Sequence, residues 1–146
     1  MKKDNLKYSI YSVMFGFFIM GFVDIIGIAT SYVKNDFSEL TDSRVNLISF
    51  FCFLWFLILS IPTGLLMNKI GRKKTVLLSF LITTLAMCFP LINYSFISII
   101  IAFALIGIGN TILQASLNPL VTDVVTSERL TGSLTLGQFI KAVSSF

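Results

Sequence analysis

The sequence contains no histidine, two cysteines and three prolines, and only 12% of its 146 residues are charged. The lack of histidine removes the most common proton shuttle and metal ligand of proteins. Cys52 and Cys88 lie inside apolar runs, so we interpret them as buried hydrophobic residues and expect neither a disulfide nor a metal site. Because no catalytic or ligating side chains cluster, we predict no enzyme activity and no cofactor.

Apolar residues dominate what is present. They make up 55% of the chain, and the mean hydropathy is +0.90, more than a soluble domain of this size can bury. The apolar runs do not alternate as barrel strands do. The net charge of +4 comes from cations at the ends of these runs, which is typical of membrane topology signals and not of a nucleic-acid surface. The sequence therefore predicts an all-α membrane protein.

Apolar stretches of spanning length occur four times, at roughly 8–33, 45–67, 75–92 and 96–125. A fifth run, 134–146, is too short to cross a hydrocarbon core of about 30 Å. We interpret residues 1–146 as a partial N-terminal bundle of four transmembrane helices plus the start of a fifth, belonging to a longer protein. A short protein with a re-entrant or interfacial tail is the alternative.

The distribution of cations predicts the orientation of these spans. Lys2, Lys3 and Lys7 precede the first span, and four more cations follow the second. The positive-inside rule then places the N-terminus and the linkers 68–74 and 126–133 in the cytoplasm.

The linker between the second and third runs combines glycines with concentrated positive charge. The pattern G-x-x-x-N-K-x-G-R-K-K is formed by Gly64, Asn68, Lys69, Gly71, Arg72, Lys73 and Lys74. Gly64 would let another helix approach closely, and Gly71 permits a tight turn. The cations can contact helix C-terminal carbonyls and lipid phosphates. Topological charge with a turn glycine is the simpler interpretation.

This basic motif resembles the signature of the major facilitator superfamily, G-x-x-x-D-R/K-x-G-R/K-R/K, which lies between that family's second and third helices. The resemblance implies a transporter with two six-helix halves and alternating access to a midplane site. It would make this chain part of the N-terminal half, with the C-terminal half of the same polypeptide as its partner. Asn68 departs from the pattern, because the family has an acid there that helps hold one gate state. We expect a weaker cytoplasmic contact.

Small and polar residues recur along the fourth run at spacings of three or four. This polar stripe comprises Gly107, Asn110, Gln114, Asn118 and Thr122. On a helix these positions share one face, and amides are costly in lipid unless they pair or line water. The stripe therefore predicts a face that contacts solute in a central cavity, with hydrogen bonding between helices as the alternative.

The segment QASLNPLV resembles the fucose:proton symporter and glucose/galactose transporter branch, whose fourth helix carries acid-x-x-x-Asn-Pro. Asn118 and Pro119 match this pattern, whereas Gln114 stands at the acid position. The resemblance implies a sugar-contacting helix. Because glutamine can bind a hydroxyl but cannot carry a proton, the branch's second titrating site lacks its carboxyl here.

Asp24 is the one acid well inside an apolar run. An intramembrane carboxyl suggests a functional site, and a symporter needs a protonatable acid with alternating access to water. The branch also has an aspartate in its first helix, about one turn away in our alignment. A structural carboxyl that pairs with a neighbouring helix is the alternative.

Lys141 and Gln138 lie three residues apart in the fifth run and can share a face. At 1.5 Å per residue, Lys141 is about 12 Å along its helix from Ser133. By the same count, Asp24 is about 24 Å from the predicted cytoplasmic end of its own helix. These depths do not by themselves predict an ion pair. Lys141 either extends to the cytoplasmic interface or points into the cavity to bind an acidic or hydroxylated substrate. The branch carries a glutamine at the position of Gln138.

The sequence predicts a multi-pass protein of the bacterial inner membrane that belongs to a proton-coupled uptake carrier for a sugar or similar small polar solute. The expected partners are that solute, protons and the lipid bilayer. The proton would be carried by Asp24. The expected solute contacts are Asn110, Gln114, Asn118, Gln138 and Lys141. A drug or metabolite efflux carrier of the same superfamily and a structural membrane protein without transport activity are the alternatives.

Overall fold

A computed structural model describes residues 3–146, with side chains from Ile10 onward, and these residues form helices and no strand. The helices are α1 (Lys3–Asp24), α2 (Ile26–Asp36), α3 (Asp42–Ile70), α4 (Arg72–Ile92), α5 (Phe96–Val124) and α6 (Ser127–Ser144). The all-α prediction is confirmed for this part of the chain. Of the N-terminal cations used to predict orientation, Lys2 and the side chains of Lys3 and Lys7 lie outside the described residues.

Helices α3, α4 and α5 are each long and apolar enough to cross a membrane. Helices α1 and α2 meet the same criterion only when taken together as one bent span. The described residues therefore contain three such helices, or four if the bent pair is a single span. A fifth span that begins with α6 remains a prediction.

The predicted first span, 8–33, is broken at Ile25, where α1 and α2 meet at 41°. No proline lies in this segment, and Gly27 is the nearest residue of low helix propensity. The backbone N–H groups of Ile28 and Ala29 both donate to the Ile25 carbonyl. As a result, the residues beyond Ile25 do not continue the helix face on which Asp24 lies.

Helix α5 is the central element of the bundle. It contacts α1, α3, α4 and α6, and 50% of its span is buried, against 11% for α3. One apolar cluster packs α1 and α4 against α5 toward the α5 C-terminus, around Phe17 and Leu117. A second packs α1, α2 and α3 against the first part of α5, around Ile48 and Cys52. Residues on α5 are therefore well placed to line the interior.

Two glycines allow helices to approach at backbone distance. A Cβ on Gly107 would overlap the Cys52 carbonyl of α3, and a Cβ on Gly21 would overlap the Lys141 carbonyl and the Ser144 hydroxyl of α6. Small residues at such crossings are the usual means of close packing between membrane helices. These contacts fix α3 against α5 and α6 against α1.

Helix α6 begins at Ser127, seven residues before the predicted start of the fifth run at 134. Thr126 adopts the extended conformation of an N-cap residue, and Glu128 lies in the first turn, where an acid is favoured by the helix dipole. Most of the predicted 126–133 linker is thus helical.

Candidate functional site

Asp24 and Lys141 form an ion pair between α1 and α6. Lys141 Nζ lies 3.0 Å from Asp24 Oδ2, and the two side chains are 20% and 38% exposed, respectively. Because α6 begins at Ser127, Lys141 is about 21 Å along its helix, close to the depth predicted for Asp24. The depth mismatch inferred from the sequence is therefore wrong. Lys141 is directed to Asp24.

The local backbone explains why these charges meet. Gly21 has no side chain, so the α6 backbone around Lys141 packs directly against α1, one turn before Asp24. The Ser144 hydroxyl donates to the Lys141 carbonyl at 2.8 Å, which satisfies that polar group within α6. The close approach leaves the lysine chain free to reach the end of α1.

The polar stripe on α5 runs from the interior to the surface. Gly107 and Asn110 are buried, Gln114 is half-buried, and Asn118 is exposed. Asn110 is only 2% exposed, and its Oδ1 is a buried acceptor with no hydrogen-bond partner among the described residues. An unpaired buried amide oxygen is costly, so Asn110 is the member of the stripe best suited to receive a donor from a bound molecule.

Asn110 lies close in depth to the ion pair. Gly107 packs against the backbone of Cys52 on α3. Asn110 comes three residues after Gly107, which is about 4.5 Å further along α5. Cys52 in turn belongs to the same apolar cluster as Val23, the residue before Asp24. The pair and the unpaired amide therefore occupy neighbouring levels of the bundle.

The remaining predicted contacts are more peripheral. Gln138 is exposed on α6 and precedes Lys141 by about one turn, and Asn118 is exposed near the end of α5. The six residues predicted to carry the proton or contact the solute are Asp24, Asn110, Gln114, Asn118, Gln138 and Lys141. The structure joins Asp24 and Lys141 directly. Within the described residues, it shows no polar contact among the other four. The predicted shared polar face is present on α5.

A cavity of ≈ 550 Å³ lies elsewhere, between the α1–α2 bend, α4 and α5. Its wall is mainly apolar and includes Phe22, Ile26, Phe80, Met87 and Ile106. None of the six predicted site residues lines it.

The basic motif forms a linker of a single residue. Gly71 separates α3 from α4 with φ 89° and ψ 152°, and its N–H donates to the Met67 carbonyl at 2.9 Å. This backbone region is essentially restricted to glycine, so the predicted turn role of Gly71 has a direct geometric basis. Gly64, in contrast, has nothing within 4 Å of a built Cβ, so no described helix makes the predicted close approach there.

Arg72 connects this motif to the end of α5. Its Nη1 lies 2.8 Å from the Pro119 carbonyl oxygen, 2.8 Å from Thr122 Oγ1 and 2.6 Å from Asp123 Oδ1. The other polar side chains of the motif are exposed, namely Asn68, Lys69, Lys73 and Lys74. The contact of Asp123 with Arg72 was not predicted, although an acid at the C-terminal end of the fourth run was a usable signal.

A second polar contact at the opposite ends of the helices was also not predicted. The Tyr94 hydroxyl, between α4 and α5, donates to Asp36 Oδ2 at 2.5 Å, and Phe37 stacks on the Tyr94 ring. The hydrogen bond to Asp36 raises the pKa of Tyr94 above its usual value. Lys34 and Asp42 pair nearby. These contacts tie α2 to α3 and to the α4–α5 linker.

Comparison with known families agrees with this arrangement of helices and basic linker. The family model described as Major Facilitator Superfamily matches residues 12–144. The chain belongs to the major facilitator superfamily. It is therefore an integral, multi-pass membrane protein of a transporter family and not an enzyme.

Two curated proteins resemble the chain along nearly its whole length. Each is named "Glucose/galactose transporter", one from Brucella abortus biovar 1 (strain 9-941) and one from Brucella abortus (strain 2308). Each is 28% identical over 145 residues, which cover 97% of this chain and 35% of the relative. The chain thus spans about a third of the length of these relatives. No solved structure matches it.

Proposed function

We propose that this chain is the first part of a longer carrier that moves a sugar or similar small polar solute across the membrane by alternating access. The observation that carries the proposal is the Asp24–Lys141 ion pair, whose Nζ and Oδ2 atoms lie 3.0 Å apart between α1 and α6 and whose side chains are both partly exposed. Charged groups within membrane spans are costly in lipid and usually line a solute or ion pathway. The two relatives named as glucose/galactose transporters support a sugar as the solute.

In this proposal Asp24 carries the coupled proton. The Lys141 ammonium and a proton compete for the same carboxylate, because the ammonium approaches Asp24 Oδ2 directly. Protonation of Asp24 would release Lys141, and deprotonation would restore the pair. Such a two-state contact between α1 and α6 is the kind of element that a proton gradient can bias.

The proposed solute contacts are the amide side chains of α5 and α6. Asn110 offers an unpaired buried acceptor, and the more exposed Gln114, Asn118 and Gln138 offer both donors and acceptors. Sugar hydroxyls need both kinds of partner, which carboxamides supply at once.

Proteoliposomes containing the full-length carrier test both parts of the proposal. We expect counterflow of labelled glucose or galactose and accumulation driven by an imposed pH gradient. In Asp24→Asn, counterflow should persist at reduced affinity, whereas gradient-driven accumulation should be lost because the amide cannot carry a proton. Glu39→Gln, an exposed carboxyl-to-amide change in the α2–α3 linker, is the matched control.

Two results would contradict the proposal in different ways. The absence of counterflow for every sugar in the wild-type carrier would reject sugar transport. Gradient-driven accumulation by Asp24→Asn at the wild-type level would reject proton coupling through Asp24 and leave sugar transport standing.

An efflux carrier for apolar compounds is the second candidate, because the ≈ 550 Å³ cavity has an apolar wall. Apolar pockets with few polar groups favour drug-like ligands. Changing Gln114 and Asn118 together to leucine separates the candidates. A sugar carrier should lose counterflow, whereas export of an apolar compound should continue.

For the orientation, we propose that the N-terminus, Gly71 and the α5–α6 linker face the cytoplasm of a bacterial inner membrane. The four cations from Lys69 to Lys74 support this orientation through the positive-inside rule. A cysteine introduced at Lys74 should react with a membrane-impermeant thiol reagent only from the inner side.

A further inference from the structure

Asp24 is the last residue of α1, beside the bend at Ile25, and Lys141 lies in the last turn of α6. The other described charged side chains lie in linkers or in the first or last helical turns that border those linkers. Lys141 is about 21 Å of helix from Ser127, and α2 adds about 16 Å beyond Asp24. With the bent pair α1–α2 and α6 as membrane spans, as the sequence predicts, these lengths place both charges within a hydrocarbon core of about 30 Å.

The two charges cancel at this depth. The ammonium and the carboxylate are 3.0 Å apart, which is direct contact between opposite unit charges. No other described charged side chain forms an ion pair with either residue. The polar side chains of α5 and α6, the two long helices that contact α1, include the uncharged Asn110, Gln138 and Ser144. This polar layer thus binds by hydrogen bonding and has no net charge.

An electroneutral layer discriminates between solutes by their charge. An uncharged sugar exchanges hydrogen bonds with water for hydrogen bonds with the amides and leaves the pair intact. A sugar acid brings a carboxylate close to Asp24 and gains Lys141 only by separating it from its partner. Like charges brought together in such a site are strongly unfavourable.

We propose that Lys141 is a specificity-determining residue that acts by cancelling the charge of Asp24, so that the carrier binds uncharged polyhydroxy solutes and rejects sugar acids. This inference rests on the proposed sugar-transport function. It assigns to the pair a role in selecting solute charge, separate from any role of Asp24 in carrying a proton. It also predicts that removing one charge exposes the other to the solute.

Equilibrium binding to the purified full-length carrier tests this role without requiring transport. The probes are galactose, galacturonate and galactosamine, which share a ring and differ in charge. The wild type should bind galactose about tenfold or more tightly than galacturonate. Asp24→Asn leaves Lys141 unmatched and should shift the galacturonate-to-galactose affinity ratio upward by about tenfold.

The opposite substitution provides a second, independent arm. Lys141→Gln leaves Asp24 unmatched and should raise the affinity for galactosamine relative to galactose by a similar factor. The double variant Asp24→Asn with Lys141→Gln removes both charges and should return to the wild-type preference for galactose. Glu39→Gln and Arg44→Gln make the same formal charge changes at exposed positions and should leave all ratios unchanged.

The outcomes are distinguishable. Opposite shifts in the two single variants, reversed in the double variant, support the charge-cancelling role. If the wild type and both single variants bind galactose with the same affinity ratios, the charge-cancelling role of Lys141 is overturned. The proposed transport function then still stands. A wild type that binds no sugar overturns both. If one single variant fails to fold, unchanged ratios in the other are sufficient to overturn the inference.

Discussion

Arg72 Nη1 lies 2.6 Å from Asp123 Oδ1, which joins the first residue of α4 to the last turn of α5. The same nitrogen is 2.8 Å from the Pro119 carbonyl oxygen and from Thr122 Oγ1. The basic motif therefore does more than signal topology. One of its cations fixes the ends of two neighbouring helices at the proposed cytoplasmic surface.

Removing Arg72 should cost more stability than removing its ionic partner. The pair is 38% and 51% exposed, so Asp123→Asn should lower the free energy of unfolding by up to about 1 kcal/mol. Arg72→Gln also removes the contacts to Pro119 and Thr122 and should cost about 2 kcal/mol. Thermal unfolding in detergent at low and high salt measures both, with exposed Lys74→Gln as the control. Equal losses for the two variants would show that the ion pair alone is responsible.

Gly71→Ala should be strongly destabilising because of the backbone conformation at this position. Its φ of 89° is the only positive φ among the described residues, and forcing an L-residue there costs about 1–3 kcal/mol. Gly132→Ala is the matched control, because Gly132 lies within α6 and has nothing near its built Cβ. That change should be neutral or stabilise by up to about 1 kcal/mol. Equal unfolding temperatures for both variants would contradict the strained-glycine interpretation.

Ionisation of Tyr94 should occur above its usual pKa of 10.0, because its hydroxyl donates to Asp36. A raised folded-state pKa stabilises the fold below the unfolded pKa, and this stability is lost as pH rises through the folded value. Ultraviolet absorbance titration of the wild type minus Tyr94→Phe isolates this group. Asp36→Asn should lower the Tyr94 pKa, whereas Glu39→Gln should not. An unchanged titration in Asp36→Asn would remove Asp36 as the cause.

Asn68→Asp should strengthen the cytoplasmic contact that the sequence predicts to be weak. Asn68 is exposed at the end of α3, where the superfamily signature has an acid. Adding the charge to the full-length carrier should raise the population closed on the cytoplasmic side. Distances between spin labels on the two halves measure this population, with Asn68→Gln as the uncharged control. Identical distance distributions for Asp and Asn would rule out this role for the position.

The class of fold could be predicted from the sequence because apolar content and run length are large signals. Helices α3 to α5 follow directly from runs long enough to span lipid. The family could be inferred from the basic motif, since the glycine and cation spacing around Gly71 lies at a short helix–helix linker. The broad features therefore come from local patterns that need no knowledge of packing.

The candidate site was only partly predictable. Asp24 and Lys141 could each be identified as charges within apolar runs, but their contact depends on where α6 begins. The polar first turn from Ser127 hid that start from a search for apolar runs. Tyr94 and Asp36 are 58 residues apart in sequence, and no local pattern reports such a contact. The break at Ile25 has no proline to mark it.

The break at Ile25 places Asp24 next to the pivot of a lever. Helix α2 extends about 16 Å beyond that pivot, and its far end carries Lys34 and Asp36. The contacts of Lys34 with Asp42 and of Asp36 with Tyr94 hold that far end in place. Asp24 therefore lies beside a bend whose outer arm is braced, so the position of its carboxylate is set by the packed bundle and not by a free helix end.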